Sequence, residues 1–484
     1  MKRENVGGVM SSKGPAVLSK NGQTLAATFG SPESGRSLSK RLEQGKALRQ
    51  KVPRQSHAAW KPSVHRRDPV SILIESTAGR IPELIPIRYG RMIQSPFTFF
   101  RGAAALMAAD LAKTPKTGIF TQLCGDCHLL NFGAFATPER RFSFDINDFD
   151  ETLPGPWEWD FKRLVTSFII ASRNNRFSKS QGRASALACA RSYRKHLAEF
   201  SEMRTLQVWY ARIDNEAYRT TLPNKVAIAG VRKRLQKVLS RDVMEEDFPK
   251  LAEANGKKPR IRDNPPLIYH SQRSQEKGFQ DLVMEAFLQY RASLRGEQRA
   301  LLDRYVMKDI AMKVVGVGSV GTRCGIMLLM AYDEDPLFLQ VKEARVSVLE
   351  PYLQRTIYQN QGQRVVEGQR LMQSASDIFL GWTEGKKGLQ FYVRQLRDIK
   401  IKPQVEVYQP DRMEGYAKAC GWALARAHAK AGDAALISGY IGKSENFDEA
   451  MADFGEAYAD QNERDHEALL RAVRSGRIEA YLER

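Results

Sequence analysis

Two aspartates and an asparagine stand at spacings suited to moving a phosphoryl group. The run Cys124-Gly125-Asp126-Cys127-His128-Leu129-Leu130-Asn131 carries Asp126 and Asn131 five residues apart, and Asp148 follows seventeen residues later in Asn147-Asp148-Phe149-Asp150. A hard cation such as Mg²⁺ takes a few carboxylate or amide oxygens and keeps several waters for phosphate to displace. An aspartate left free of the metal can accept the proton of an attacking hydroxyl. Asp126 is therefore the candidate base, with Asn131 and Asp148 as candidate metal ligands and Asp145 as the rival to Asp148. The competing reading makes Asp126, Asp145, Asp148 and Asp150 turn and capping acids.

A second set lies almost two hundred residues on. Gly316-Val317-Gly318-Ser319-Val320-Gly321 has the G-x-G-x-x-G spacing. A dinucleotide fold needs those glycines to lead into a helix. Here they lead into Thr-Arg-Cys-Gly-Ile-Met-Leu-Leu-Met, a strand-like run, as in a hairpin whose backbone covers nucleotide phosphates. Gly316, Gly318, Ser319 and Gly321 are thus candidate phosphate contacts, against the plainer reading of a bulged glycine-rich hairpin. Lys342 ends the apolar run Phe338-Leu-Gln-Val341, and a buried lysine is costly without a partner. Glu367, on the next expected helix, is the candidate partner, ahead of Glu343 and Glu350.

Cys124-Gly-Asp-Cys127-His128 also fits the C-x-x-C-H pattern of c-type haem attachment. That chemistry requires export, and the first residues show positive charge without an apolar stretch. No second C-x-x-C completes a zinc site.

The elements that must position these residues follow from periodicity and turn residues. Asp68-Pro69 opens a short helix, and Ser95-Pro96 caps a longer one through Ala112. Residues 118–123 and 141–148 read as strands flanking the Asp126 loop, and 159–172 as helix. Residues 183–300 read as long amphipathic helices broken at Asn264-Pro265-Pro266. From about residue 305 the texture is β-rich over 314–332, 337–344 and 391–396, with a helix over 361–374. Residues 414–431 close as a helix ended by Gly432.

With 484 residues, the chain exceeds what one core usually organises. Its 42% hydrophobic and 27% charged residues are ordinary globular composition. The formal net charge of +20 is concentrated early, since residues 1–67 hold fourteen Lys/Arg against three Glu. This basic arm, read as disordered over 1–40, can touch a polyanion or simply aid solubility. No apolar stretch approaches a membrane span. Five cysteines in so long a chain make no disulfide framework, so reduced thiols and a cytoplasmic setting are expected.

Asp126, Asn131 and Asp148 together resemble the catalytic and metal loops of the protein-kinase-like superfamily, in particular its aminoglycoside-phosphotransferase branch. Gly155 and Asp160 continue that branch's rhythm, while Cys124 stands where the branch has histidine. Glycine turn, lysine strand, glutamate helix and a strand feeding a hinge at 391–396 occur in the order of a kinase small lobe. The two blocks are swapped along the chain. The fold class expected from this resemblance is α+β, a bilobal kinase-like fold in circular permutation. Its parts are an arm over 1–66, a helix-rich lobe over 67–304, a small β-rich lobe over 305–400 and closing helices over 401–484. The function it implies is ATP- and Mg²⁺-dependent phosphoryl transfer to a small-molecule or protein hydroxyl. The alternatives are AMP transfer in the same pocket, a nucleotide-binding pseudoenzyme acting through partners, and a basic scaffold for nucleic acid, for which no reading motif is present. Arg88, Arg91 and Arg101 are candidate contacts for an anionic substrate or structural cations. The phrases IRYGRMIQSPFTFFRGAA, CGDCHLLNFG, FDINDFDETLPGPWEWDFKRL, VGVGSVGTRC, QVKEA and YADQNERDH resemble a bacterial family catalogued as domain of unknown function 2252, whose name implies no activity.

Overall fold

The computed structural model describes residues 37–225, 228–230, 233, 248–255, 258–271, 278–314, 316–332, 335–396 and 400–482. The first 36 residues, and with them most of the span expected to be disordered, lie outside this set.

A helical body takes up the first half of the described chain. It contains α1 (Leu38–Lys51), α2 (Pro69–Glu75), α3 (Ile85–Met92), α4 (Pro96–Gly102), α5 (Ala104–Leu111), α6 (Glu158–Asn174) and α7 (Lys179–Glu202). Three late helices return to it: α11 (Pro410–Ala431), α12 (Ala434–Ile441) and α13 (Asn446–Arg474). The starts are set by local chemistry. Asp68 accepts the amides of Val70 and Ser71, and Ser95 and Thr98 bond each other reciprocally. The long helix expected after Ser95 is interrupted at Ala103, whose φ of −108° and ψ of 31° separate α4 from α5. α11 packs along α7, and α13 lies across α6 and α7. Trp157, Phe161, Tyr193 and Phe447 interleave at their junction, all with 0% exposure.

Small antiparallel sheets sit on this body. β1 (Phe120–Leu123) pairs with β4 (Leu153–Pro156), and β2 (Phe132–Ala136) lies between β3 (Phe142–Ile146) and β13 (Lys400–Ile401). β5 (Ala252–Asn255) pairs with β6 (Lys258–Ile261).

The largest sheet has six strands in the order β11-β12-β10-β9-β8-β7. These are β7 (Ile268–Tyr269), β8 (Val306–Lys313), β9 (Cys324–Ala331), β10 (Asp335–Glu343), β11 (Gly381–Glu384) and β12 (Gln390–Gln395). Every residue of β9 is buried, because both faces are covered. Met327 and Leu329 meet Tyr290, Leu294 and Phe379 on one face, while Ile326, Leu328 and Met330 meet Phe248, Leu251 and Ile261 on the other. α8 (Phe279–Ser293) and α9 (Gly296–Leu302) precede β8, and α10 (Gln361–Met372) joins β10 to β11.

Two expectations are corrected. Residues 183–300 are not helical throughout: β5, β6 and β7 fall within them, and α8 packs on β11. Tyr290 Oη donates to Phe379 O at 2.7 Å, so this stretch joins the six-stranded sheet rather than the helical body. The basic arm expected over 1–66 is ordered from Ser37 onward. Gly45 lets α1 press against α12, since a Cβ there would lie 2.1 Å from Leu436 O. Arg49 donates to Tyr440 O at 2.8 Å and Gly439 O at 2.5 Å, and Arg54 donates to Ile441 O at 2.8 Å, covering the open carbonyls of α12. Arg66 bridges Asp110 at 2.8 Å and Asp465 at 2.6 Å. Much of the arm's described charge therefore serves the chain's own acids and carbonyls.

Candidate active site

The Asp126 loop follows β1 and is held by the first turn of α6. Asp160 Oδ2 accepts the Cys124 amide at 2.7 Å, and Oδ1 accepts the Gly125 amide at 3.0 Å. Gly125 has φ +88°, and a Cβ there would meet Glu151 O at 2.3 Å, so the tight turn requires glycine. Asn131 Nδ2 donates to the Asp126 carbonyl at 2.7 Å, which leaves Asn131 Oδ1 available as a ligand oxygen. The Asp126 carboxylate accepts from Arg163, one helical turn into α6, at 2.6 Å from Nε and 2.5 Å from NH2. Burial pushes the Asp126 carboxyl above its ordinary range, with Arg163 opposing. His128 Nε2 lies 3.9 Å from Asp126 Oδ2. Burial, then the charges of Arg101 and Arg163, hold its imidazole neutral by pushing its pKa well down.

Asp148 emerges just past β3. Its Oδ1 accepts the Asp150 amide at 3.2 Å. Burial and the neighbouring Asp150 charge raise its pKa, against the pull of Lys342 and Arg394. Asp150 goes the other way: burial would raise it, but the charge and hydrogen bond of Lys342, the Tyr392 hydroxyl and the Arg394 charge together hold it down. Lys342 pulls on both carboxyls, and its direct hydrogen bond goes to Asp150.

Lys342 lies near the end of β10, between β9 and β12, and its side chain is 4% exposed. Its Nζ donates to Asp150 Oδ2 at 2.6 Å, and Tyr392 Oη donates to Asp150 Oδ1 at 2.5 Å. Ser319 Oγ reaches the same Asp150 Oδ2 at 3.4 Å. The long sequence separation between the two blocks is closed, with the ammonium bonded to Asp150 and within electrostatic reach of Asp148.

The glycine turn connects β8 to β9, with Gly316 at φ +68° and Gly321 at φ +87°. It is tied to the helical body. Arg91 donates to Gly316 O, Arg80 to Val320 O at 2.5 Å, and the Ile81 amide to Gly321 O at 2.7 Å. Val317 is buried against Tyr89, Met92 and Phe99. At Gly318 a Cβ would lie 3.4 Å from the Arg101 carbonyl.

Three candidate residues are engaged elsewhere. Glu367 pairs with Arg370 at 3.1 Å, not with Lys342. The face of α10 turned to the cleft carries Arg364 and Gly368. Arg364 donates to Asp150 O at 2.8 Å and Thr152 O at 2.6 Å, and a Cβ at Gly368 would strike Thr152 Oγ1 at 2.4 Å. Glu343 pairs with Arg323 at 3.1 Å. Asp145 is spent on Arg426, at 2.8 Å with both side chains sealed from solvent, and on the Ser374 amide at 2.8 Å. It is a structural acid and has no lone pair to spare for a metal. Sequence reasoning missed Asp150 as the lysine's partner, although its place in Asn-Asp-Phe-Asp was the available signal.

The haem reading fails on burial. Cys124 and Cys127 are 1% and 0% exposed, which leaves no surface for a porphyrin. Their sulfurs lie with an Asp160 oxygen inside 4.8 Å, and burial raises both thiols, that of Cys127 to about 11. Asp160 already accepts the amides of Cys124 and Gly125.

No helix among the described residues is long and apolar enough to cross a membrane. No curated protein and no solved structure matches the chain. Residues 80–472, which include every site residue above, match the family described as uncharacterized proteins conserved in bacteria, DUF2252. The chain belongs to that family.

Proposed function

We propose that the protein is an ATP- and Mg²⁺-dependent phosphotransferase whose kinase-like lobes occur in permuted order along the chain. The observation that carries this reading is the 2.6 Å contact of Lys342 with Asp150, which joins the lysine strand to the loop bearing Asp148. Three further features support it. The strand bearing Lys342 is central in its sheet, between the strand that leaves the glycine turn and the strand that precedes the hinge. A helix, α10, intervenes between them in sequence. Asp160 secures the Asp126 loop through backbone amides, which gives the base a rigid seat.

In this reading Asp126 Oδ2 takes the proton of the acceptor hydroxyl, while Arg163 keeps the carboxylate oriented through Oδ1. The acceptor oxygen then bonds to the γ-phosphorus as the bond to the β–γ bridging oxygen breaks, and ADP leaves. Asn131 Oδ1 and Asp148 Oδ2 are the oxygens that fit Mg²⁺, which would offset charge on the phosphates. Lys342 faces the α- and β-phosphates, and the amides of Gly316, Gly318, Ser319 and Gly321 cover them.

Thermal shift with Mg-ATP against EDTA-ATP tests binding, and absence of any nucleotide-dependent stabilisation rejects the reading. Asp126→Ala is expected to lose about 10²–10⁴-fold in turnover while keeping nucleotide affinity. ATP labelled at the α- or the γ-phosphate separates phosphoryl from AMP transfer by which label reaches the acceptor.

A further inference from the structure

The cationic wall beside Asp126 holds one arginine with no role in the chemistry just described. It is formed by α3 and α4, which carry Arg91 and Arg101, and by Arg163 of α6. Arg163 is accounted for: it bonds Asp126, and its NH2 donates to Phe100 O at 2.9 Å while the guanidinium lies 4.3 Å from the Phe100 ring centre. Arg101 is not. Its side chain is half-buried on the wall that meets the glycine turn at Gly318, and its Nε is buried without a hydrogen-bond partner. It forms no ion pair within 4.0 Å among the described residues. The opposing charges that act on it are Glu406, itself exposed, and Asp126, whose charge Arg163 already engages. Arg91 adds a further positive charge to the same wall. The neutral His128 adds none.

Stripping water from a guanidinium edge without replacing its bond is unfavourable, so a buried, unpartnered Nε calls for an acceptor. An arginine fork matches carboxylate and phosphate oxygens, and Arg101 stands within electrostatic reach of Asp126, with its own carbonyl against Gly318 of the glycine turn. We propose that Arg101 binds an oxyanion of the acceptor, so that the acceptor is a small hydroxyl compound bearing a carboxylate or phosphate a few atoms from its reactive oxygen. This rests on the phosphotransferase reading for the acceptor's role, but the anion site itself does not need it.

The test uses the full chain saturated with Mg²⁺ and a non-hydrolysable ATP analogue, so that the nucleotide's own phosphate positions are filled. Inorganic phosphate and malonate are titrated separately by calorimetry at constant ionic strength, which distinguishes the two oxyanions. Saturable binding of at least one is expected. Arg101→Gln weakens it by about tenfold or more, and Arg101→Lys recovers part of the loss because one charged donor replaces the fork. Nucleotide affinity, unchanged in both variants, reports that each is folded. If the wild type shows no nucleotide binding, the titration is run without it: an isotherm that still depends on Arg101 leaves the anion site standing and removes the kinase reading. Absence of saturable anion binding by the wild type, or equal affinity in Arg101→Gln, overturns the proposal.

Discussion

Lys342 and Asp150 are partners across the cleft, with Nζ 2.6 Å from Oδ2 and side-chain exposures of 4% and 27%. Removing one member leaves the other's charge in a desolvated place. Lys342→Met is expected to destabilise the protein by roughly 3–5 kcal/mol, because Asp150 loses its direct ionic partner and only the Arg394 charge is left to oppose the repulsion between Asp150 and Asp148. The double variant Lys342→Met/Asp150→Leu is expected to recover much of that loss. Urea denaturation of the four proteins gives the coupling, and additive effects would refute it.

Asp126 must be ionised to take a proton, and burial holds its pKa above the ordinary 3.8. The acid limb of kcat/KM is therefore expected at a higher pH than an exposed aspartate would give, with activity lost as pH falls through it. Arg163 opposes the upward shift. Arg163→Gln should move the limb further up, and a limb that stays in place would take Asp126 out of the proton transfer.

Asp145 and Asp148 are expected to separate cleanly. Asp148→Asn should abolish the magnesium-dependent part of ATP stabilisation at little cost to folding. Asp145→Asn should do the reverse, costing roughly 3 kcal/mol or more by unpairing the sealed Arg426, while magnesium dependence survives. Calorimetry of ATP binding with and without magnesium, alongside denaturation, reads both effects.

His57 is a pH-sensitive fastening for the ordered part of the arm. It is 0% exposed and lies 2.8 Å from Tyr440 Oη, and burial, then the Lys162 charge, push its pKa down to about 3. The unfolded chain takes up this proton near pH 6.5, the folded one only near 3, so stability falls as pH drops between those values. The loss from this residue is on the order of 2 kcal/mol between pH 6.5 and 4.5. In His57→Gln the slope over that window should flatten; an unchanged slope would assign it to other groups.

The candidates Asp126, Asn131, Asp148 and Lys342 could be singled out because their residue types and spacings sit between runs whose strand character is strong. The β3 segment Phe142–Ile146 is buried throughout, and β10 is nearly so. Asp150 was not legible as the lysine's partner, since a loop acid has no periodicity that says which way it faces. Glu367 failed for a related reason. Composition locates α10 but does not fix its rotational phase, and that phase turns Arg364 to the cleft. The strands β5–β7 span two to four residues each, too short to outweigh the helical pattern around them. α1 escaped notice because only Gly45 is buried along it, so it docks by close backbone approach and arginine–carbonyl bonds instead of an apolar stripe.

Arg66 has a consequence for where this molecule can be cut. It neutralises Asp110 and Asp465 together, while Trp60 lies edge-on to Tyr458 nearby. The recognisable family signature starts at residue 80, beyond all of these. A fragment trimmed to that signature would keep both acids and lose the Arg66 guanidinium that bridges them. The inherited sequence pattern is thus shorter than the piece of chain that closes as a unit, and a stable excision has to begin before α1.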